Sequence, residues 1–90
     1  MTVADEIRKR LNTLAPSLLE LLDESAKHAG HAGAAPGGNT HWQLTIVSAA
    51  FAGKATVARH RMIYGALGEL MQNPIHALSI RARAPGEIDA

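Results

Sequence analysis

His41-Trp42-Gln43-Leu44-Thr45-Ile46-Val47-Ser48-Ala49 is the stretch on which the fold turns. Trp42, Leu44 and Ile46 alternate with His41, Gln43 and Thr45. Successive side chains of a strand point to opposite faces, so the run has one apolar face and one polar face. Such a strand belongs to a sheet covered on one side only. The alternation predicts a strand from His41 to Ala49, with Trp42 in the core and His41, Gln43 and Thr45 on an open face.

Upstream, Ser17 to Asp23 is short, apolar and bounded, and reads as a second strand, although leucine suits helices equally well. Between the two lies Glu24 to Asn39, rich in Ala, Gly and His and ending in Pro36-Gly37-Gly38-Asn39. Breakers of this kind mark a loop, and a loop of about 15 residues in a compact domain is usually functional or disordered. The N-terminal segment reads as a helix. Val3, Ile7, Leu11 and Leu14 recur at helical spacing, and Thr2 with Asp5 has the spacing of a capping box. Asp5 with Lys9 and Glu6 with Arg10 are i,i+4 pairs worth about 0.2–0.5 kcal/mol each. Pro16 closes the element.

Downstream, Phe51-Ala52-Gly53-Lys54 reads as a turn and Thr56 to Gln72 as helical. Ile63, Leu67 and Leu70 form its apolar stripe, with Val57, Tyr64 and Met71 beside it. Gly65 and Gly68 each weaken a helix by about 1 kcal/mol relative to alanine, which points to close packing or a break near its start. Asn73-Pro74 ends it. Ile75 to Ala82 reads as the last strand and Arg83 to Ala90 as a frayed tail. The expected class is α+β. A helical crossover makes the second and third strands parallel and right-handed, the first two pair antiparallel, and the helices cover one face of a three-stranded mixed sheet.

Ninety residues make one domain with a small core. A net charge of +1 lacks the basic excess of a dedicated nucleic-acid binder. Cysteine is absent, which removes disulfides and thiolate chemistry from this chain and fits the cytoplasm. Met1 to Leu14 is amphipathic rather than a signal peptide, and no apolar run reaches the roughly 20 residues needed to span a bilayer. Enzyme signatures are missing: no Gly-rich phosphate loop and no nucleophile elbow. Asp23 and Glu24 are adjacent, so on a strand they would diverge.

Five histidines remain: His28, His31, His41, His60 and His76. Imidazole ligates zinc, iron and copper and titrates near neutral pH. His28 and His31 are either solvated loop residues or ligands. His60, between Arg59 and Arg61, is a packed or capping residue, and His41 belongs to the open face. Lys54, Arg59 and Arg61, at the start of a helical segment, either hold phosphates or form a solvated edge. No aromatic platform for stacking bases accompanies them.

Leu21-Leu22-Asp23-Glu24-Ser25, His28, Thr40-His41-Trp42, Val47-Ser48, Phe51-Ala52-Gly53-Lys54, Arg59-His60-Arg61-Met62-Ile63-Tyr64 and Ile75-His76-Ala77-Leu78 come in a fixed order. In this they resemble the BolA family, from about Ile7 to Pro85. The resemblance implies an αββααβ fold similar to class II KH domains, with the crossover split into two helices. It implies a BolA-like domain over residues 1–85 and a disordered tail over 86–90. The Gly-x-x-Gly clamp of true KH domains is absent.

The resemblance also implies a non-enzymatic partner of monothiol glutaredoxins that shares a [2Fe–2S] cluster with them, in iron–sulfur homeostasis and stress response. The glutaredoxin supplies a cysteine and glutathione. The BolA side supplies a histidine at the position of His76 and a second ligand from the loop, here His28 or, because this loop is longer and brings it in, His31. Histidine replaces cysteine on one iron in Rieske centres. Some bacterial members imply instead a DNA-binding regulator using Lys54, Arg59 and Arg61. A zinc site of His28, His31 and His76 is a third alternative. Without its partner the chain is expected to be a monomer or weak homodimer.

Overall fold

The computed structural model describes residues 2–24 and 40–87. Helix α1 (Val3–Leu11) starts with the anticipated capping box. The Thr2 hydroxyl accepts the Asp5 N–H at 3.1 Å, and the Asp5 carboxylate accepts the Thr2 N–H at 3.1 Å. Two early helix donors are thus satisfied by side chains. Ile7 and Leu11 point inward and are fully buried. A single 3-10 turn, Asn12–Leu14, follows, and Ala15 at φ 49° redirects the chain into the sheet.

The sheet has three strands in the order β1 (Leu18–Asp23), β2 (His41–Val47), β3 (Ala77–Arg83). β1 and β2 pair antiparallel from Leu18 opposite Val47 to Asp23 opposite Trp42. β2 and β3 pair parallel from His41 opposite Ala77 to Val47 opposite Arg83. The alternation along β2 is realised: Trp42, Leu44 and Ile46 are buried, while His41, Gln43 and Thr45 face the open side. Ile7 and Leu11 of α1 and Ile63 and Leu67 of α2 (Thr56–Leu67) complete the core with Phe51, Leu70 and Ile75. The fold is the expected α+β arrangement with a three-stranded mixed sheet.

Four local expectations change. β2 stops at Val47 rather than Ala49, because Ser48 turns the chain. The Ser48 hydroxyl is buried, donates to the Leu14 carbonyl at 2.5 Å and accepts the Ala50 N–H at 3.1 Å, so it starts a 3-10 turn instead of continuing the strand. The glycine break falls at the end of the crossover helix, not near its start. Gly68 sits at φ 55°, a backbone that strains any residue with a Cβ, and terminates α2 before a 3-10 turn, Gly68–Met71. Nothing packs within 4 Å of a Cβ placed on Gly65, so that glycine answers no close approach. Val57 and Tyr64, read as flanking the core stripe, are exposed at 61% and 41%.

The C-terminal segment is the fourth. Arg83, read as the start of a frayed tail, closes β3, and its carbonyl accepts the Ser48 N–H at 2.9 Å. Ala84 is buried, and Glu87 is tied back to the domain. Residues 88–90 lie outside the described residues.

Arg10 links the two helices. Its Nη1 donates to the Leu67 carbonyl at 2.9 Å, its Nη2 to Glu69 at 3.2 Å, and its Nε to Glu6 at 3.1 Å. A cation at the end of α2 satisfies a terminal carbonyl and complements the helix dipole.

Candidate functional site

Parallel pairing puts the beginnings of β2 and β3 at one end of the sheet. Thr40 precedes β2 and His76 precedes β3. The Thr40 carbonyl accepts both the His76 N–H at 2.7 Å and the Ala77 N–H at 3.0 Å. Ile75, buried and donating its N–H to the Leu70 carbonyl at 3.0 Å, fixes the chain immediately before His76. His76 itself is exposed. Its ring centroid lies 5.8 Å from that of His41, with the planes tilted by 55°. Thr40 Oγ1 is 2.9 Å from His41 Nδ1, in hydrogen-bond contact.

The alternation along β2 places His41 on the open face but does not place it beside His76. The signal for that neighbour lies in the topology: parallel strands joined by a crossover begin side by side, so residues heading each strand are neighbours. At the same end, the Glu24 N–H donates to the His41 carbonyl at 2.8 Å. The chain therefore leaves the sheet at Glu24, beside the His41 backbone, and returns at Thr40, which contacts both His41 and the His76 backbone. His28 and His31 belong to that intervening segment and lie outside the described residues. Among the described residues, no group of three or more metal-ligating side chains is assembled.

Arg59 is committed within the protein. Its Nε donates to the Lys54 carbonyl at 2.8 Å and its Nη1 to the Ala82 carbonyl at 3.0 Å. Nη1 and Nη2 also reach the two Glu87 carboxylate oxygens at 2.6 and 2.7 Å. The Ala84 N–H donates to the same carboxylate at 2.9 Å. The Arg59 guanidinium, then the Ala84 amide, hold the Glu87 carboxyl down at about 2, against an ordinary value of 4.5. Arg59 is accordingly raised by Glu87. Lys54 and Arg61 stay exposed. His60 meets Tyr64 edge-on, with centroids 6.3 Å apart.

The open face carries a shallow depression lined by Glu20, Leu21, Leu22, Gln43 and Thr45. Leu18 and Leu22 are exposed on β1. No helix among the described residues is long and apolar enough to cross a membrane.

A mixed three-stranded sheet and a helical crossover broken at Gly68 define an α+β domain of one recognisable type. The family model for BolA-like proteins matches residues 11–87. The chain is 42% identical over 82 residues to human BolA-like protein 1, covering 90% of this chain and 57% of that one. It is 44% identical over 92 residues to SufE-like protein 1, chloroplastic/mitochondrial, of Arabidopsis thaliana, covering 98% of this chain and 24% of that one. The chain thus spans about a quarter of the latter and little more than half of the former. The BolA domain of SufE1 from Arabidopsis thaliana superposes with a TM-score of 0.82 at 43% identity, covering 98% of this chain and 99% of that domain. The protein belongs to the BolA-like family.

Proposed function

We propose that this protein is the partner of a monothiol glutaredoxin and shares or transfers a [2Fe–2S] cluster with it. His76 is the first ligand from this side, and His28 or His31 is the second. The observation that carries the reading is the setting of His76. Its backbone is locked by Thr40 and by buried Ile75, while its imidazole stays exposed at one end of the sheet. A fixed backbone with an accessible side chain suits a ligand offered to a second protein. The segment bearing His28 and His31 ends at Thr40, whose carbonyl holds the His76 backbone.

The donor chemistry fits. A chain without cysteine brings only imidazole nitrogens and carboxylates as strong ligands. Imidazoles replace thiolates on one iron of a [2Fe–2S] centre, and the glutaredoxin cysteine with glutathione provides the thiolates. The residues here hold and present the cluster without a catalytic step. The DNA-binding alternative loses support from Arg59, whose guanidinium is spent on Glu87 and two backbone carbonyls.

The test is to mix the protein with a monothiol glutaredoxin, iron, sulfide and glutathione. A heterodimer with a visible spectrum distinct from the glutaredoxin homodimer is expected, and His76→Ala should abolish the difference. An unchanged spectrum with His76→Ala would remove the reading.

A further inference from the structure

We infer that the outer edge of β1 docks a second copy of this chain, which pairs antiparallel through its own β1 about a two-fold axis at Glu20. The pairing joins two three-stranded sheets into one continuous sheet. It uses the edge opposite β3, the strand that His76 precedes, and it does not rest on the cluster reading.

Three observations carry the inference. The first is an unpaired stretch of backbone. Bonded and non-bonded pairs alternate along an antiparallel ladder. The Glu24 N–H donates to the His41 carbonyl, so in the β1–β2 register Leu18, Glu20 and Leu22 turn their N–H and C=O groups towards β2. Leu19 and Leu21 therefore turn theirs outward, where no partner meets them among the described residues. An edge strand in this state is a template for another strand. The far edge of the sheet is obstructed, because Arg59 Nη1 donates to the outward Ala82 carbonyl at 3.0 Å.

The second is apolar surface on the same strand. Leu18 and Leu22 are 44% and 53% exposed. They share the open face with Glu20, since alternate residues of a strand lie on one face. The third identifies the occupant. Leu18-Leu19-Glu20-Leu21-Leu22 reads the same in both directions. A two-fold axis at Glu20 therefore sets Leu18 opposite Leu22, and Leu19 opposite Leu21, of the second copy. Each outward N–H and C=O of Leu19 and Leu21 then meets its complement. A two-fold contact requires a self-complementary patch of this kind. Glu20 faces Glu20 of the second copy at the axis, and like charges directly opposite resist pairing. That repulsion and the small contact keep the dimer weak.

The test is sedimentation equilibrium of the purified chain over a concentration series, with amide exchange followed by nuclear magnetic resonance. A monomer–dimer equilibrium is expected, in which the Leu19 and Leu21 amides exchange more slowly as the concentration rises. Glu20→Gln should tighten the dimer about tenfold by removing the opposed charges. Leu22→Glu, at an exposed position, should weaken it about tenfold or more by adding charge beside the axis. An equimolar mixture of Glu20→Lys with the original chain should form a heterodimer tighter than either homodimer, because opposite charges then meet at the axis. Circular dichroism should show each variant folded. Three results overturn the inference: a monomer at every concentration in both the original chain and Glu20→Gln, a dimer whose affinity is the same in Glu20→Gln and Leu22→Glu, or a dimer in which the Leu19 and Leu21 amides exchange as in the monomer. Because no glutaredoxin, iron or sulfide is present, each result leaves the cluster experiment independent.

Discussion

Arg59 and Glu87, 28 residues apart in the chain, meet in a two-pronged ion pair with nitrogen–oxygen distances of 2.6 and 2.7 Å. Paired contacts of this geometry are stronger and more directional than a single ionic contact. The pair joins α2 to the segment after β3, and Arg59 adds the Ala82 and Lys54 carbonyls to the same node.

The node makes stability depend on pH in a defined window. The folded-state pKa of Glu87 is lowered to about 2 from 4.5. Its stabilising contribution is therefore complete above the ordinary value and is lost as the pH falls from about 4.5 towards 2. Glu87→Gln should unfold at a lower temperature than the original chain at pH 7. The gap should narrow steadily through that window and close near pH 2. Arg59→Ala should lower the melting temperature more than Glu87→Gln, because it also strands two backbone carbonyls. Melting curves across pH 2–7 check both; a gap that stays constant with pH would count against the ion pair.

The two glycines of the crossover should respond with opposite signs. Gly65 lies inside α2, and a methyl group added there meets nothing within 4 Å. Gly65→Ala is expected to stabilise by about 0.5–1 kcal/mol through helix propensity and reduced unfolded-state entropy. Gly68 has φ 55°, and a Cβ there also meets Arg10 Nη1 at 3.5 Å. Gly68→Ala should destabilise by more than about 1 kcal/mol. Urea denaturation of the two variants side by side reads the difference directly.

Ser48 joins three parts of the chain within the core edge. Its hydroxyl spans Leu14 and Ala50, and its N–H reaches Arg83. Ser48→Ala leaves a carbonyl and an amide without their partner and should cost about 1–3 kcal/mol. Ser48→Thr retains the hydroxyl and should recover part of that loss. Chemical denaturation of both variants measures it, and equal stability of Ser48→Ala and the original chain would contradict the proposed link.

Much of the fold was legible because local pattern and global structure agree. The alternation through Trp42, Leu44 and Ile46 is realised as one buried face of β2. The Thr2–Asp5 spacing is realised as a capping box. What failed was set by distant contacts. Val57 and Tyr64 share helical periodicity with the core stripe, yet they lie on the outer side of α2, and only the packing direction distinguishes the two sides. Nothing local to Arg59 announces Glu87, and nothing local to His41 announces His76. The candidate site was legible for His76 through the family pattern, whereas its imidazole neighbour required the strand register.

That register has a consequence for folding. The β1–β2 pairing is formed by neighbours in the chain order, but β2 and β3 begin together only after the whole α2 crossover has been closed. Non-local pairing of this kind carries a loop-closure cost before any contact repays it. A chain with only its antiparallel pair in place has no Thr40 carbonyl under His76 and no paired imidazoles. The placement of His76 beside His41 is thus a property of the completed domain, and a nascent or partly unfolded chain does not bring the two imidazoles together.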